Sequence, residues 1–192
     1  MIVKNDYNLV QLQAKVQSQL SQYRFQHCLR TADKAVELAE LNQGDVLKAR
    51  VAGLVHDYAK ERSDAEFISV IKQEHFDPDL LNYGNAIWHG VIGAYFIKHE
   101  LGIYDEEILN AVRNHTTAAP QMTLLDKIVF MADYIEDGRD FMNVDEARQV
   151  TLADLDDGVR YQLTHTLELL LNKKTKIYPK TITSYNAWVA GH

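Results

Sequence analysis

The stretch Leu54-Val55-His56-Asp57-Tyr58-Ala59 limits what this chain can become. Before it, Ala49, Val51, Ala52, Gly53, Leu54 and Val55 make a small apolar helical run broken only by Arg50. A run like that is buried on most sides. An imidazole and a carboxylate then stand side by side at its end. A buried carboxylate without a partner is costly, and it neutralises, pairs or binds a metal. Adjacent helical positions lie about 100° apart, so the two side chains do not stack. They can converge on one ion held between this helix and its neighbours. The doublet alone describes a partly buried ion pair equally well, so further ligands must be found.

The rest of the chain reads as helices. Leu9, Leu12, Val16 and Leu20 repeat at helical steps, giving a first helix. Ser21 caps a second that runs to Leu41, with Gly44 beyond its end, and Asp45 caps the helix that carries His56-Asp57. Ser63 or Asp64 caps a short fourth around Phe67, Ile68 and Ile71. Phe76-Asp77-Pro78-Asp79 is a turn, followed by a short helical piece through Leu81. Asn85 opens one helix that stops near Gly102, and Asp105 caps another with Glu106 and Glu107 in its first turn. Thr123 opens an apolar helix, Leu124 to Ile135, broken by Gly138. Asp145 to Val150 adds a turn, and a long amphipathic helix runs from about Leu152 to Leu171. Thr175 to Thr183, with Pro179 inside it, reads as extended or irregular. The expectation is a single all-α domain over 1–192, its core at about 20–172 and the segment 173–192 packed on it.

Composition narrows the function classes. At 192 residues the chain can bury a sizeable core, and 46% apolar with 24% charged residues is ordinary for a soluble domain. No run approaches a membrane span, and the N-terminal Met1 to Asp6 carries no apolar leader core. The lone cysteine, Cys28, excludes an internal disulfide and fits a reducing cytoplasm. A net charge of −7 argues against polymeric nucleic acid as partner. It leaves a small anionic substrate open, because bound cations reverse the local field.

Several polar residues sit where apolar ones belong. Asp133 shares a helix face with Leu125 and Val129, so its carboxylate points inward and needs a cation. His115 ends the Ile108, Ala111, Val112 face, and His89 shares a face with Ile92, Gly93 and Phe96. His27 has Tyr23, Arg24, Arg30 and Thr31 around it, which suits a rim or surface histidine. Each alone is a satisfied core or rim group. Together they are a ligand set of imidazole and carboxylate, suited to Fe, Mn, Co, Ni or Zn. His75, His99, His165 and His192 carry no such signal, and Cys28 reads as core.

The order His27, His56-Asp57, His89, His115, Asp133 resembles the HD-domain metal-dependent phosphohydrolases. The words Arg24-Phe25-Gln26-His27-Cys28-Leu29-Arg30, Leu54 to Lys60, Asn114-His115-Thr116-Thr117, Ala132 to Glu136 and Ile177-Tyr178-Pro179-Lys180-Thr181 are similar to the bacterial YqeK family. The resemblance spans about residues 20 to 188. It implies an all-α HD-domain helical bundle that splits diadenosine tetraphosphate symmetrically into two ADP. It also implies that His27, His56, Asp57 and Asp133 hold one divalent metal, iron first among Fe, Mn, Co, Ni and Mg. His89 and His115 then face phosphate or complete a second metal site with Asp57 as bridge; the sequence leaves one or two ions open. Two departures are visible: Asp137 where the family often has proline, and Ala118 where it often has glycine.

Phosphoanhydride hydrolysis needs a nucleophilic water, charge neutralisation and a stabilised leaving group. Asp57, Lys60, His89 and His115 are the candidate catalytic residues. Lys60, three residues past Asp57 on what reads as the same helix, reaches the same mouth, or simply ends that helix at the surface. Arg139 and Arg30 can each grip phosphate bidentately. Thr116 adds a hydroxyl beside His115, and Tyr58 and Ala59 flank the doublet. The resemblance puts nucleotide contacts on Lys176, Ile177, Tyr178, Pro179, Lys180 and Thr181; without it, that segment is a tether across the core. The expected partner is a small-molecule nucleotide, with no membrane and with a homodimer left open. The competing readings are another nucleotide or guanosine-polyphosphate phosphohydrolase of HD type, an HD-type iron oxygenase, and a nucleotide-sensing module without turnover.

Overall fold

Side-chain caps decide where most helices start. In the computed structural model, which describes residues 7–191, Asn8 caps α1 (Leu9–Gln19), Ser21 caps α2 (Gln22–Leu41) and Asp45 caps α3 (Val46–Val55). Ser63 and Glu66 form a reciprocal capping box on α4 (Asp64–Gln73). A 3₁₀ turn, Pro78–Asn82, follows as expected. Met1 to Asp6 and His192, both considered above, lie outside the described residues.

The helix expected from Asn85 to Gly102 is three pieces. They are α5 (Asn85–Val91), α6 (Gly93–Phe96) and a widened π turn, Ile97–Leu101. Gly90 and Gly93 weaken the helix at the break, and the wide turn carries Glu100 to the Tyr58 hydroxyl and the Arg62 guanidinium. Asp105 caps α7 (Glu106–Asn114), and a Thr123–Asp126 box starts α8 (Leu124–Ile135). The chain leaves α8 at Glu136, before Gly138. The turn expected near Asp145 is a full helix, α9 (Val144–Ala153), and Asp154 then caps α10 (Leu155–Asn172). Thr175 to Thr183 is not irregular throughout: Pro179 begins α11 (Pro179–Trp188). Proline at the first helical position gives up no hydrogen bond, so it starts this helix instead of breaking it.

Among the described residues every regular element is helical. α2, α3, α7 and α8 pack on one another at the centre, α10 closes over α8 and α9, and α11 lies on α10. The α2–α3 contact is close because Gly53 faces the α2 backbone; a Cβ there would meet Ala32 Cα at 2.8 Å. That contact brings the end of α3 beside the first turns of α2. No helix among the described residues is long and apolar enough to cross a membrane.

Candidate metal centre

α3 ends at Val55, and His56 is its C-cap. The chain then runs through successive tight turns, with Tyr58 N–H to Val55 carbonyl at 2.9 Å and Lys60 N–H to Asp57 carbonyl at 2.8 Å. The helix therefore stops short of the doublet, and Asp57 and Lys60 both stand in these turns beyond it. Asn85 holds them from outside by donating to the Lys60 carbonyl at 3.0 Å.

His27, His56, Asp57, His89 and His115 are each at most 3% exposed and converge on one point between α2, α3, α5, α7 and α8. His27 is therefore core, not rim. Of the neighbours considered above, Thr31 is buried and Tyr23 faces out. Asp133, on α8, is the most exposed of the set at 20% of its side chain.

The tautomers follow from the partners. Nδ1–H donates to the Gly53 carbonyl from His56 (2.7 Å), to Val112 from His115 (2.7 Å) and to Asn85 from His89 (2.6 Å). A carbonyl only accepts, so each Nδ1 carries the proton and each neutral ring turns an Nε2 lone pair inward. His27 does the same against a carboxylate, with Nδ1–H to Glu136 Oε1 at 3.2 Å. The lone pairs then meet head to head. His27 Nε2 and His56 Nε2 are 3.2 Å apart, and His89 Nε2 and His115 Nε2 are 3.1 Å apart.

Asp57 lies between the two pairs. Its Oδ2 is 3.6 and 3.5 Å from the Nε2 atoms of His27 and His56, and its Oδ1 is 3.4 and 3.7 Å from those of His89 and His115. Asp57 Oδ1 is buried with no hydrogen-bond partner. Asp133 Oδ1 is 3.0 Å from His27 Nε2 and 3.6 Å from His56 Nε2. Arg24 and Arg139 reach the carboxylates from the rim, but the inward Nε2 atoms still face one another and Asp57 Oδ1, a donor set that fits a divalent cation. Three overlapping trios have their donor atoms close enough to share an ion: His27-His56-Asp57, His56-His115-Asp133 and Asp57-His89-His115.

The titration tendencies agree. Burial pushes Asp57 up, but His56, His115, His89 and Lys60 more than offset it and hold the carboxyl well below its usual range. Burial likewise raises Asp133, and His27 and His56 bring it down further than that. His56 rises against its burial, drawn up by Asp57 and Asp133. Burial drives His89 down to about 3 in spite of Asp57, so it stays neutral at ordinary pH.

Around the cluster the expected residues divide. Lys60 Nζ is 3.1 Å from His89 Nε2, and Thr116 Oγ1 is 3.2 Å from the Nε2 atoms of both His89 and His115. Arg139 reaches the cluster, but onto Asp133: its Nε donates to the Asp133 carbonyl at 2.8 Å and its Nη2 to the carboxylate. Arg30 is spent on Glu136, Nε to Oε2 at 2.5 Å. Tyr58 turns its hydroxyl to Glu100 at 2.7 Å, and Ala59 is core beside Gly93. Lys180 Nζ donates to Asn114 Oδ1 at 2.6 Å, one residue from His115, and Thr181 is buried. Lys176 reaches the Asn82 carbonyl and lies over the Tyr83 ring, which meets Tyr178 edge-on at 4.9 Å. Ile177 is half-buried and Pro179 exposed.

Two residues of the site escaped the sequence reading. Arg24 Nη1 donates to Asp57 Oδ2 at 2.8 Å. Glu136, 1% exposed, accepts from His27, Arg30 and the Gly138 N–H. Gly138 permits that arrangement, since a Cβ there would strike the Arg30 guanidinium. The available signal was spacing: Arg24 precedes His27, and Glu136 follows Asp133, by one helical turn. Of the departures, Asp137 pairs with Lys34 at 2.9 Å, whereas Ala118 is buried at φ 54, a left-handed conformation that favours the family's glycine.

Comparisons with known proteins agree with this centre. A family model described as "HD domain" matches residues 24–138. The chain is 40% identical over 171 residues to a protein of Halalkalibacterium halodurans named "Bis(5'-nucleosyl)-tetraphosphatase, symmetrical", covering 89% of this chain and 91% of that one. It is 39% identical over 178 residues to the Bacillus subtilis protein of the same name, covering 93% and 96%. A crystal structure from Clostridium acetobutylicum, described as a predicted HD superfamily hydrolase involved in NAD metabolism, superimposes with a TM-score of 0.87 at 33% identity, covering 97% and 99%. The chain belongs to the HD-domain family and, within it, to the YqeK-type symmetrical bis(5'-nucleosyl)-tetraphosphatases.

Proposed function

We propose that this protein hydrolyses diadenosine tetraphosphate into two ADP at the His/Asp cluster. The observation that carries the reading is the buried set of inward Nε2 lone pairs around an unpartnered Asp57 oxygen, in a chain 40% identical to a protein named for that activity. The ligand assignment is His27, His56, Asp57 and Asp133 for one ion. A second ion on Asp57, His89 and His115 is supported by the second Nε2 pair. Iron is the metal that the family resemblance implies; the imidazole and carboxylate set itself suits Fe, Mn, Co, Ni or Zn. When bound, the metal polarises phosphoryl oxygens and makes water a competent nucleophile near neutral pH.

The chain's own residues do the rest. His56, His89 and His115 are locked by backbone carbonyls and His27 by Glu136, so little reorganisation precedes attack. Lys60, its Nζ 3.1 Å from His89 Nε2, is placed to neutralise charge on the leaving ADP. Thr116 orients a phosphoryl oxygen at the His89/His115 pair. Arg139, held on Asp133, would turn to a substrate phosphate if a bound metal neutralised that carboxylate. Lys176 to Thr181 hold one nucleotide half, which selects the phosphorus attacked. Burial lowers the Lys180 ammonium's affinity for its proton, and its bond to Asn114 ties this segment to His115. The HD unit takes in the whole chain: Trp188 on α11 donates to the Ala119 carbonyl at 2.9 Å, closing the C-terminal segment onto the loop after His115. A cytoplasmic setting agrees with the free, buried Cys28.

Product chromatography after reaction of metal-loaded protein with diadenosine tetraphosphate tests the proposal. ADP as sole product is expected. ATP and AMP in equal amounts would refute the symmetrical cut. Tight nucleotide binding with no products would leave a sensing module instead. Metal analysis of protein purified without added ions tests the assignment to iron.

A further inference from the structure

Asp57 stands between two histidine pairs. Tyr83, just before the Asn85 that opens the helix of His89, meets Tyr178 edge-on beneath Lys176. On the His27 side a cavity of about 270 Å³ opens between α2 and the loop after α8. Tyr23, Phe141 and Asp140 line it together with Arg24, His27, Glu136 and Arg139. Arg139 joins it to Asp133, the cluster residue with the most exposed side chain. Asp133 has 20% of its side chain exposed, while the side chains of the other five cluster residues have at most 3%. Arg24 and Arg139, with side chains 21% and 35% exposed, flank that opening. Arg24 gives one N–H to Asp57 while its side chain stays part-exposed on the cavity, so the guanidinium can also face a ligand there. Tyr23 is 77% exposed. Phe141 packs on Tyr134 at 4.8 Å between ring centroids, which gives the wall a firm backing.

We propose that this cavity takes the second nucleoside half of the dinucleotide, its base against Tyr23 and Phe141 and its phosphates against Arg24 and Arg139. The inference rests on the activity proposed above and adds what recognises the far end of the substrate. A mononucleotide polyphosphate can fill one side of Asp57 only. A dinucleoside polyphosphate carries a base at each end of its phosphate chain and can use both. Stacking on an aromatic wall is tolerant of base identity, so the cavity reads the presence of a second base and not which base it is.

The test sets KM for diadenosine tetraphosphate against Ki for adenosine tetraphosphate, a competitor with the same phosphates and one nucleoside. Tyr23→Ala and Phe141→Ala are made singly, with Tyr23→Phe as the conservative variant. In each alanine variant, KM is expected to rise about tenfold relative to Ki, as the loss of one base–aromatic stack requires. Tyr23→Phe keeps the wild-type ratio, because the ring and not the hydroxyl is used. Tyr23 is exposed, so its replacement does not threaten folding. A ratio unchanged in both alanine variants, or KM and Ki rising together, overturns the second site and leaves the proposed activity standing. A wild-type protein that does not turn over diadenosine tetraphosphate overturns the activity, and this inference with it.

Discussion

Asp57 and Glu136 support the same centre by different means, and mutation separates them. Asp57 lies within 3.7 Å of the Nε2 atoms of all four histidines. Asp57→Ala leaves lone pairs confronting one another with no anion between them, so metal binding and turnover should both be lost. Glu136 touches no reacting atom in this arrangement; it fixes His27 through Nδ1. Glu136→Gln keeps the shape but removes the carboxylate that accepts from His27 Nδ1. Metal affinity should fall about 10–100-fold with the fold retained, measured by metal titration beside circular dichroism. Equal metal affinity in wild type and Glu136→Gln would show that His27 needs no such support. The ligands were legible because a buried histidine or aspartate contradicts its own helix face. Arg24 and Glu136 contradict nothing locally: an arginine and a glutamate near helix ends suit solvent. Their role exists only once α2 lies across the end of α3 and α8, and spacing along one helix does not contain that contact.

At the scale of the element, caps were the readable signal. Ser21, Asp45, Ser63, Asp105 and Thr123 each accept from the backbone where the sequence put a helix start. Pro179 misled, since proline argues against a helix interior and equally for a helix start. The break at Ile92 and the π turn were not visible, because apolar periodicity continues straight through them. Nor was the closeness of α2 and α3, which depends on Gly53. Gly53→Ala would put a methyl group 2.8 Å from Ala32 Cα and 3.0 Å from the Thr31 carbonyl, both backbone. Overpacking of that kind costs about 1–3 kcal/mol or more, beyond the ~1 kcal/mol that alanine gains over glycine in a helix. A fall in Tm of about 5 °C is expected, together with weaker metal binding as His27 and His56 are pushed apart. Gly93→Ala is the contrasting case. Its methyl group would rest at 3.6 Å from the Ala59 side chain, ordinary contact, so its Tm should stay within about 2 °C of wild type.

For the whole molecule, the centre joins five helices, so the ion should be part of the fold's stability. An ion bound by the native state alone adds about 4 kcal/mol when present at roughly a thousand times its Kd. For a chain of this size that is a rise in Tm of about 10 °C. The gain should depend on pH in a definite direction. In the metal-free protein, burial holds His89 near 3, whereas an unfolded histidine titrates near 6.5. The unfolded chain therefore takes up that proton first. The contribution of neutral His89 is complete above about pH 6.5 and is lost progressively as pH falls toward 3. Asp57 and Asp133, held below the usual carboxylate range, act in the same sense at still lower pH. His56 opposes them: its folded value is raised, so its contribution is present at low pH and is lost as pH rises through that value. A bound cation removes this opposition, because it needs His56 unprotonated at Nε2. Protons and metal then compete for the same lone pairs. The metal-dependent increment in Tm should be large at pH 7.5 and much smaller at pH 5.5, measured by calorimetry with and without chelator. An increment equal at the two pH values would mean that no imidazole binds the ion. No increment at either would mean that the cluster is a hydrogen-bonded core and holds no metal.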